Sequence, residues 1–179
     1  KAVKEIKTIF ERELASALNL TRISAPLFVY KDSGLNDDLN GVERAVSFDL
    51  KANGKTAEIV HSLAKWKRFA LAKYGFAPYT GMYTDMNAVR RDEEMDNLHS
   101  IYVDQWDWES VILRADRNEE YLKATVRKIY AAMYATAEEI CREYPELENY
   151  LSRDISFVTT QQLEDLYPSF TSKERETAY

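Results

Sequence analysis

The stretch HSIYVDQWDWE at residues 99–109 constrains the fold more than any other part of this chain. Apolar and polar side chains alternate along it, and a period of two marks a β-strand whose neighbouring side chains point to opposite faces. One face then carries Ile101, Val103, Gln105, Asp107 and Glu109, and the other Tyr102, Asp104, Trp106 and Trp108. Burying two tryptophans decides which way the strand lies, so Gln105 and Asp107 project together from the far face. An amide and a carboxylate in that position are either a hydrogen-bonded pair on a wet sheet face or part of a binding site.

The segment YTGMYTDMNAVR (79–90) reads as a second strand, and RDEEMDNL (91–98) as the charged loop between the two. An antiparallel pairing brings Arg90, at the end of one strand, near His99, at the start of the other. The planar guanidinium fork suits two oxygens of a phosphate. Loops of this composition also pair their charges among themselves and stay solvated.

The remaining elements follow from period and punctuation. Val3, Ile6, Phe10, Leu14 and Ala17 recur at helical spacing, giving an amphipathic helix that ends near Asn19. TRISAPLFVY (21–30) reads as a strand whose Pro26 suggests an edge or a subunit boundary, and KDSGLNDDLNG (31–41) as a loop. AVSFDLKANGKTAEIV (45–60) is a hairpin turning at Asn53-Gly54. Ser62 is expected to cap a helix through about Tyr74, with Gly75 as its stop. A longer helix runs from Asn118 to Glu143 before Pro145, ISFVT (155–159) reads as a strand, and a short helix from Thr160 ends before Pro168. The order predicts an α+β fold, a mainly antiparallel sheet flanked by helices. Without repeats, low-complexity tracts or Gly/Ser linkers, residues 1–179 read as a single domain. Thr171 and Glu174 form a capping box opening a last helix barely two turns long at Tyr179, so the natural protein is expected to continue.

Composition excludes several function classes. The 179 residues are 45% hydrophobic and 30% charged, a soluble globular mixture. A net charge of −6 lacks the basic stripe of a nucleic-acid binder, although KWKR (65–68) is able to meet a small anion. Cys141 is the only cysteine, which makes a reducing compartment the default. No apolar run approaches the roughly 20 residues that span a bilayer, and the acidic N-terminal segment suits neither a transit nor a signal peptide. The expectation is a cytosolic protein with no membrane and no nucleic-acid partner.

VHSLAKWKR (60–68) runs a strand into a helix whose N-terminus holds Ser62, and such ends attract anions. Lys67 on the first turns either neutralises a carboxylate or phosphate, or snorkels beside Trp66. In GLNDDLNG (34–41), Asp37 and Asp38 are free to cap, to bind metal or to face an ammonium group. His61 and His99 are ordinary histidines by default, since no carboxylate or cysteine sits at zinc-ligand spacing; His99 is also placed to support a bound base or phosphate. No Ser-His-Asp pattern, P-loop or G-x-G-x-x-G occurs.

Taken together, VHSLAKWKR, YTDMNAVRRDEE and LHSIYVDQWDWE, in that order and spacing, resemble the ammonia-dependent aspartate–ammonia ligases (asparagine synthetase A). The likeness continues through NGVERAV and, more loosely, to FVTTQQLEDLYP. It implies the catalytic core of class II aminoacyl-tRNA synthetases. The first helix with LTRISAPLF then resembles the motif that builds a homodimer interface, and the hairpin carrying Arg90 the motif whose arginine holds the α-phosphate.

The implied reaction joins L-aspartate, ATP with Mg2+, and ammonia: the side-chain carboxylate attacks the α-phosphorus, giving β-aspartyl-AMP and pyrophosphate, and ammonia then displaces AMP. The resemblance makes Asp37, Arg90 and Gln105 catalytic, Asp37 taking a proton from the incoming ammonium. Lys67 and Asp107 bind aspartate, with Ser62 a further substrate-binding candidate. Arg90, Leu98 and His99 line the nucleotide pocket. Metal ligands and a glycine-rich third motif belong to a later half that these 179 residues do not contain, so the fragment alone is expected to be inactive. The alternatives are an aspartyl- or asparaginyl-tRNA synthetase core, or a non-catalytic paralogue binding aspartate or AMP.

Overall fold

Helix α1 (Ala2–Leu18) buries Ile9 and Leu14 from its apolar stripe and stops where Asn19 turns into the left-handed region at φ 54°. The computed structural model describes residues 1–97 and 99–179, which fall into two compact units, Lys1–Glu148 and Asn149–Tyr179.

In the first unit β1 (Leu20–Arg22) and β2 (Phe28–Tyr30) are followed by the β3 (Ser47–Asp49) and β4 (Thr56–Ile59) hairpin. Then come α2 (Ala64–Lys73), β5 (Gly81–Val89), β6 (Tyr102–Ser110) and α3 (Glu119–Glu143). The strands make two sheets among the described residues, in the orders β1-β5-β6 and β2-β4-β3. Among the described strands only β1 with β5 is parallel, so the α+β, mainly antiparallel expectation stands.

Residues 21–30 do not form the single strand expected. The chain leaves the first sheet after Arg22 and joins the second at Phe28. Pro26 lies in the gap, and a residue without an N–H cannot extend a ladder. The gap's ends stay tied to both sheets: Ile23 N–H donates to the Tyr83 carbonyl (2.9 Å), and Val60 N–H to that of Leu27 (3.1 Å).

The β5–β6 register runs from Gly81↔Ser110 to Val89↔Tyr102. On one face Trp108 packs with Leu14, Leu20 and Tyr83, and Trp106 lies 4.9 Å from the Phe10 ring, so the tryptophan face meets α1 as the alternation requires. On the other face Met86, Ala88 and Val103 pack with Val29, Val60, Leu63 and Trp66, while Met82 packs with Ala70 and Leu71. This second face is layered by α2 and the smaller sheet, and the site is cut into that layer.

In the second unit α4 (Thr160–Leu166) and α5 (Ser172–Ala178) both open on capping boxes, Thr159 with Gln162 and Thr171 with Glu174. Residues 155–159 are irregular rather than a strand. Strand propensity forms no ladder without a neighbouring edge, and Thr159 instead caps α4.

Candidate active site

The β5–β6 register sets the site. Paired residues in an antiparallel ladder project to the same face. Met86↔Gln105 and Thr84↔Asp107 therefore place the amide and the carboxylate on the face covered by α2. Arg90 continues the even-numbered series one residue past β5, its N–H donating to the Ile101 carbonyl (2.8 Å). From the strand rise, Asp107 and Gln105 are about 7 Å apart and Arg90 lies about 13 Å along from Met86. The three project from one face.

Lys67 crosses to that face from α2. It is 4% exposed, and its ammonium pairs with the Asp107 carboxylate, donates to the Trp108 carbonyl (2.8 Å) and lies 3.5 Å from Glu109 Oε2. This is a buried ion pair rather than a snorkelling lysine. Two residues expected to bind opposite ends of an amino acid thus satisfy each other. Gln105 is exposed, and its amide has no partner among the described residues.

Arg90 is largely covered. Its Nη1 is 3.8 Å from Glu93 Oε2, and its Nε is buried without a hydrogen-bond partner. A buried guanidinium N–H left open is a donor that an anion would satisfy. Arg90 and His99 line a cavity of about 410 Å3 with Leu39, Asn40 and Glu43. The expected proximity of Arg90 to His99 is present, with the His99 Nδ1 held by Asp96 (2.9 Å). Leu98, the other expected wall of this pocket, lies outside the described residues.

The loop bearing Asp37 covers the same face, since Leu35 packs on the Met86–Ala88–Val103 cluster. Ser62 does not occupy the cap position of α2, which falls to Leu63. Its hydroxyl accepts the Ala64 N–H (3.1 Å) and donates to Asp37 Oδ2 (2.9 Å). The structure therefore uses Ser62 to hold Asp37, while Asp38 pairs with Lys65 (2.7 Å) on the surface.

Two residues that hold these loops were not singled out in the sequence. Arg44 grips Asp92 with its backbone N–H (2.8 Å), Nε (3.0 Å) and Nη2 (2.5 Å). The Arg44 side-chain hydrogen bonds hold the Asp92 carboxyl well below the usual carboxylate range. The clamp ties the loop after Asp37 to the loop after Arg90. Asn36 is the second, a buried amide beside Asp37. Both bind partners distant in sequence, so no local spacing announces them. Among the described residues no group of three or more His, Cys, Asp or Glu is placed to hold a metal ion.

The family described as Aspartate-ammonia ligase (AsnA) matches residues 1–179. An aspartate–ammonia ligase of Ruminiclostridium cellulolyticum is 63% identical over 178 residues, covering 99% of this chain and 53% of the relative. One from Clostridium perfringens is 62% identical with the same coverage. The chain thus spans about half the length of the curated relatives it matches. In fold it is similar to the asparaginyl-tRNA synthetase of Pyrococcus horikoshii, solved with asparaginyl-adenylate: TM-score 0.57 at 15% identity, over 94% of this chain and 38% of that one. A class II synthetase-like fold and a match along its whole length agree: the chain belongs to the aspartate–ammonia ligase family.

Proposed function

We propose that these residues form part of one catalytic domain that amidates L-aspartate with ammonia, using ATP through β-aspartyl-AMP. The observation that carries this reading is the projection of Asp107, Gln105 and Arg90 from one strand-pair face with Lys67 buried against Asp107.

Aspartate brings an α-ammonium and an α-carboxylate, and Asp107 and Lys67 are complementary to them. The buried pair is neutral as it stands. The α-ammonium and α-carboxylate entering between its members trade one neutral arrangement for another, so the only net charge brought in is that of the side-chain carboxylate. The side-chain carboxylate is then directed along the sheet toward Gln105 and Arg90. One of its oxygens attacks the α-phosphorus, the bond to the bridging oxygen breaks, and pyrophosphate leaves. The open Nε of Arg90 supplies a charged donor to the α-phosphate as charge builds there. In the second half Gln105 donates its amide N–H to the acyl oxygen while ammonia adds to the carbonyl carbon. Asp37 takes the proton from the incoming ammonium, and AMP departs with the oxygen that had attacked.

Magnesium would enter with the nucleotide and offset charge on its phosphates; the residues named above act on aspartate, the α-phosphate and ammonia. The cavity bounded by Arg90 and His99 suits the nucleotide. We take the working protein to be a cytoplasmic homodimer; no described helix is long and apolar enough to cross a membrane.

Protein of the relatives' full length, carrying this sequence, decides the matter. Aspartate-dependent exchange of pyrophosphate into ATP, and asparagine formed only when ammonium is added, are the expected results. Charging of tRNA without amide synthesis would assign a synthetase instead, and neither activity a non-catalytic relative.

A further inference from the structure

Asn36 is 8% exposed in a loop without regular secondary structure, and its amide is fully used. Oδ1 accepts the Asp37 N–H (3.0 Å) and the His61 N–H (2.9 Å); Nδ2 donates to Glu58 Oε2 (3.3 Å) and the Ile59 carbonyl (3.4 Å). Two donated and two accepted bonds are all that one primary amide ordinarily makes. The loop is therefore nailed to the β4–α2 junction one residue before Asp37. His61, 2% exposed, adds its Nδ1 at 3.3 Å from the Asp37 carbonyl, and Ser62 holds Asp37 Oδ2 at 2.9 Å. Asp37 Oδ1 has no partner among the described residues. The result is a carboxylate with fixed backbone, one oxygen occupied and one left open.

We propose that Asn36 is a positioning residue for the ammonia step, fixing Asp37 so that its open oxygen meets the incoming ammonium. This rests on the ligase reading above, in which Asp37 accepts that proton. Ammonium has no side chain by which a protein could orient it, so the placement of its proton acceptor is the main control over its approach. The activation of aspartate involves no such proton transfer and should be indifferent to Asn36.

The test separates the two halves in full-length enzyme. Aspartate-dependent pyrophosphate exchange reads the first; amide formation from ammonium reads the second, with hydroxylamine, uncharged near neutral pH, as the nucleophile that needs no base to free it. Asn36→Ala should lower ammonium-dependent kcat about ten- to a hundredfold while exchange and hydroxylamine turnover stay within about threefold. Asn36→Asp, which keeps the accepting oxygen and loses the donor, should show the same split at smaller amplitude. If all three rates fall together in both variants, or none falls in either, the role is not positional and the proposal is overturned. A wild-type enzyme that never uses ammonium removes the ligase reading, and this inference with it; an active wild type with unsplit variants removes this inference alone.

Discussion

The pair between Lys67 and Asp107 offers the sharpest energetic prediction. The two side chains are 5% and 15% exposed, so their interaction is poorly screened, and breaking a buried pair by removing one partner costs about 3–5 kcal/mol. The local geometry lowers that figure. After Asp107→Asn the ammonium keeps the Trp108 carbonyl at 2.8 Å and Glu109 at 3.5 Å, so about 2–3 kcal/mol is expected. Lys67→Met keeps the aliphatic stem against the sheet and leaves a carboxylate that reaches water, again about 2–3 kcal/mol. The double variant removes both charges and should cost only about 3 kcal/mol, a coupling near 2 kcal/mol. Urea titrations of the four proteins measure it, urea being preferred because an ionic denaturant screens the quantity sought. A coupling below about 0.5 kcal/mol would mean that the charges do not sense each other, and the partner exchange proposed for aspartate binding would fall with it.

Three further outcomes follow from the geometry. The Asp92 carboxyl, depressed by Arg44, contributes stability that is full above the ordinary carboxylate range near pH 4 and is lost as pH falls through its lowered value; Asp92→Asn should make acid unfolding less steep, and an unchanged acid limb refutes the clamp. Burial and the hydrogen bond to Glu11 push Tyr83 up to about 12, so its contribution is present below about pH 10 and lost as pH rises toward that value; Tyr83→Phe should flatten stability across this window. A Cβ at Gly81 would strike the Glu109 carbonyl oxygen and lie 2.6 Å from Ser110 Oγ and 2.8 Å from Leu20 Cδ2. Gly81→Ala should therefore cost about 1–3 kcal/mol by overpacking, and an unaltered Tm would contradict the β1-β5-β6 register.

How much was legible in the sequence depended on where each interaction closes. The faces of β6 were readable because alternation is local and two tryptophans outweigh everything else on the strand. The capping boxes at Thr159 and Thr171 close within three residues and are recognisable by spacing. The split of residues 21–30 was not legible: both halves have strand composition, and only the fold shows that their partners lie in different sheets. ISFVT misleads for the complementary reason, since its propensity is real but it pairs with no strand among the described residues.

The same division runs through the site. Gln105 and Asp107 follow from strand parity, whereas Lys67 reads equally as a snorkelling surface residue until α2 is seen packed on the sheet. Arg44 and Asn36 reach partners 48 and 25 residues away, a distance at which spacing holds no information. The chemical roles came from family resemblance, because carboxylates and amides on a sheet face do not by themselves name a substrate.

In the proposed reaction this face directs the side-chain carboxylate of aspartate onto the α-phosphorus of ATP. L-Aspartate labelled with 18O in that carboxylate alone follows the transfer, with full-length enzyme, ATP and ammonium. Attack by a carboxylate oxygen followed by ammonia at the acyl carbon must leave one labelled oxygen in the phosphate of AMP. Label appearing in orthophosphate, or AMP formed with none, would rule out carboxylate attack at that phosphorus.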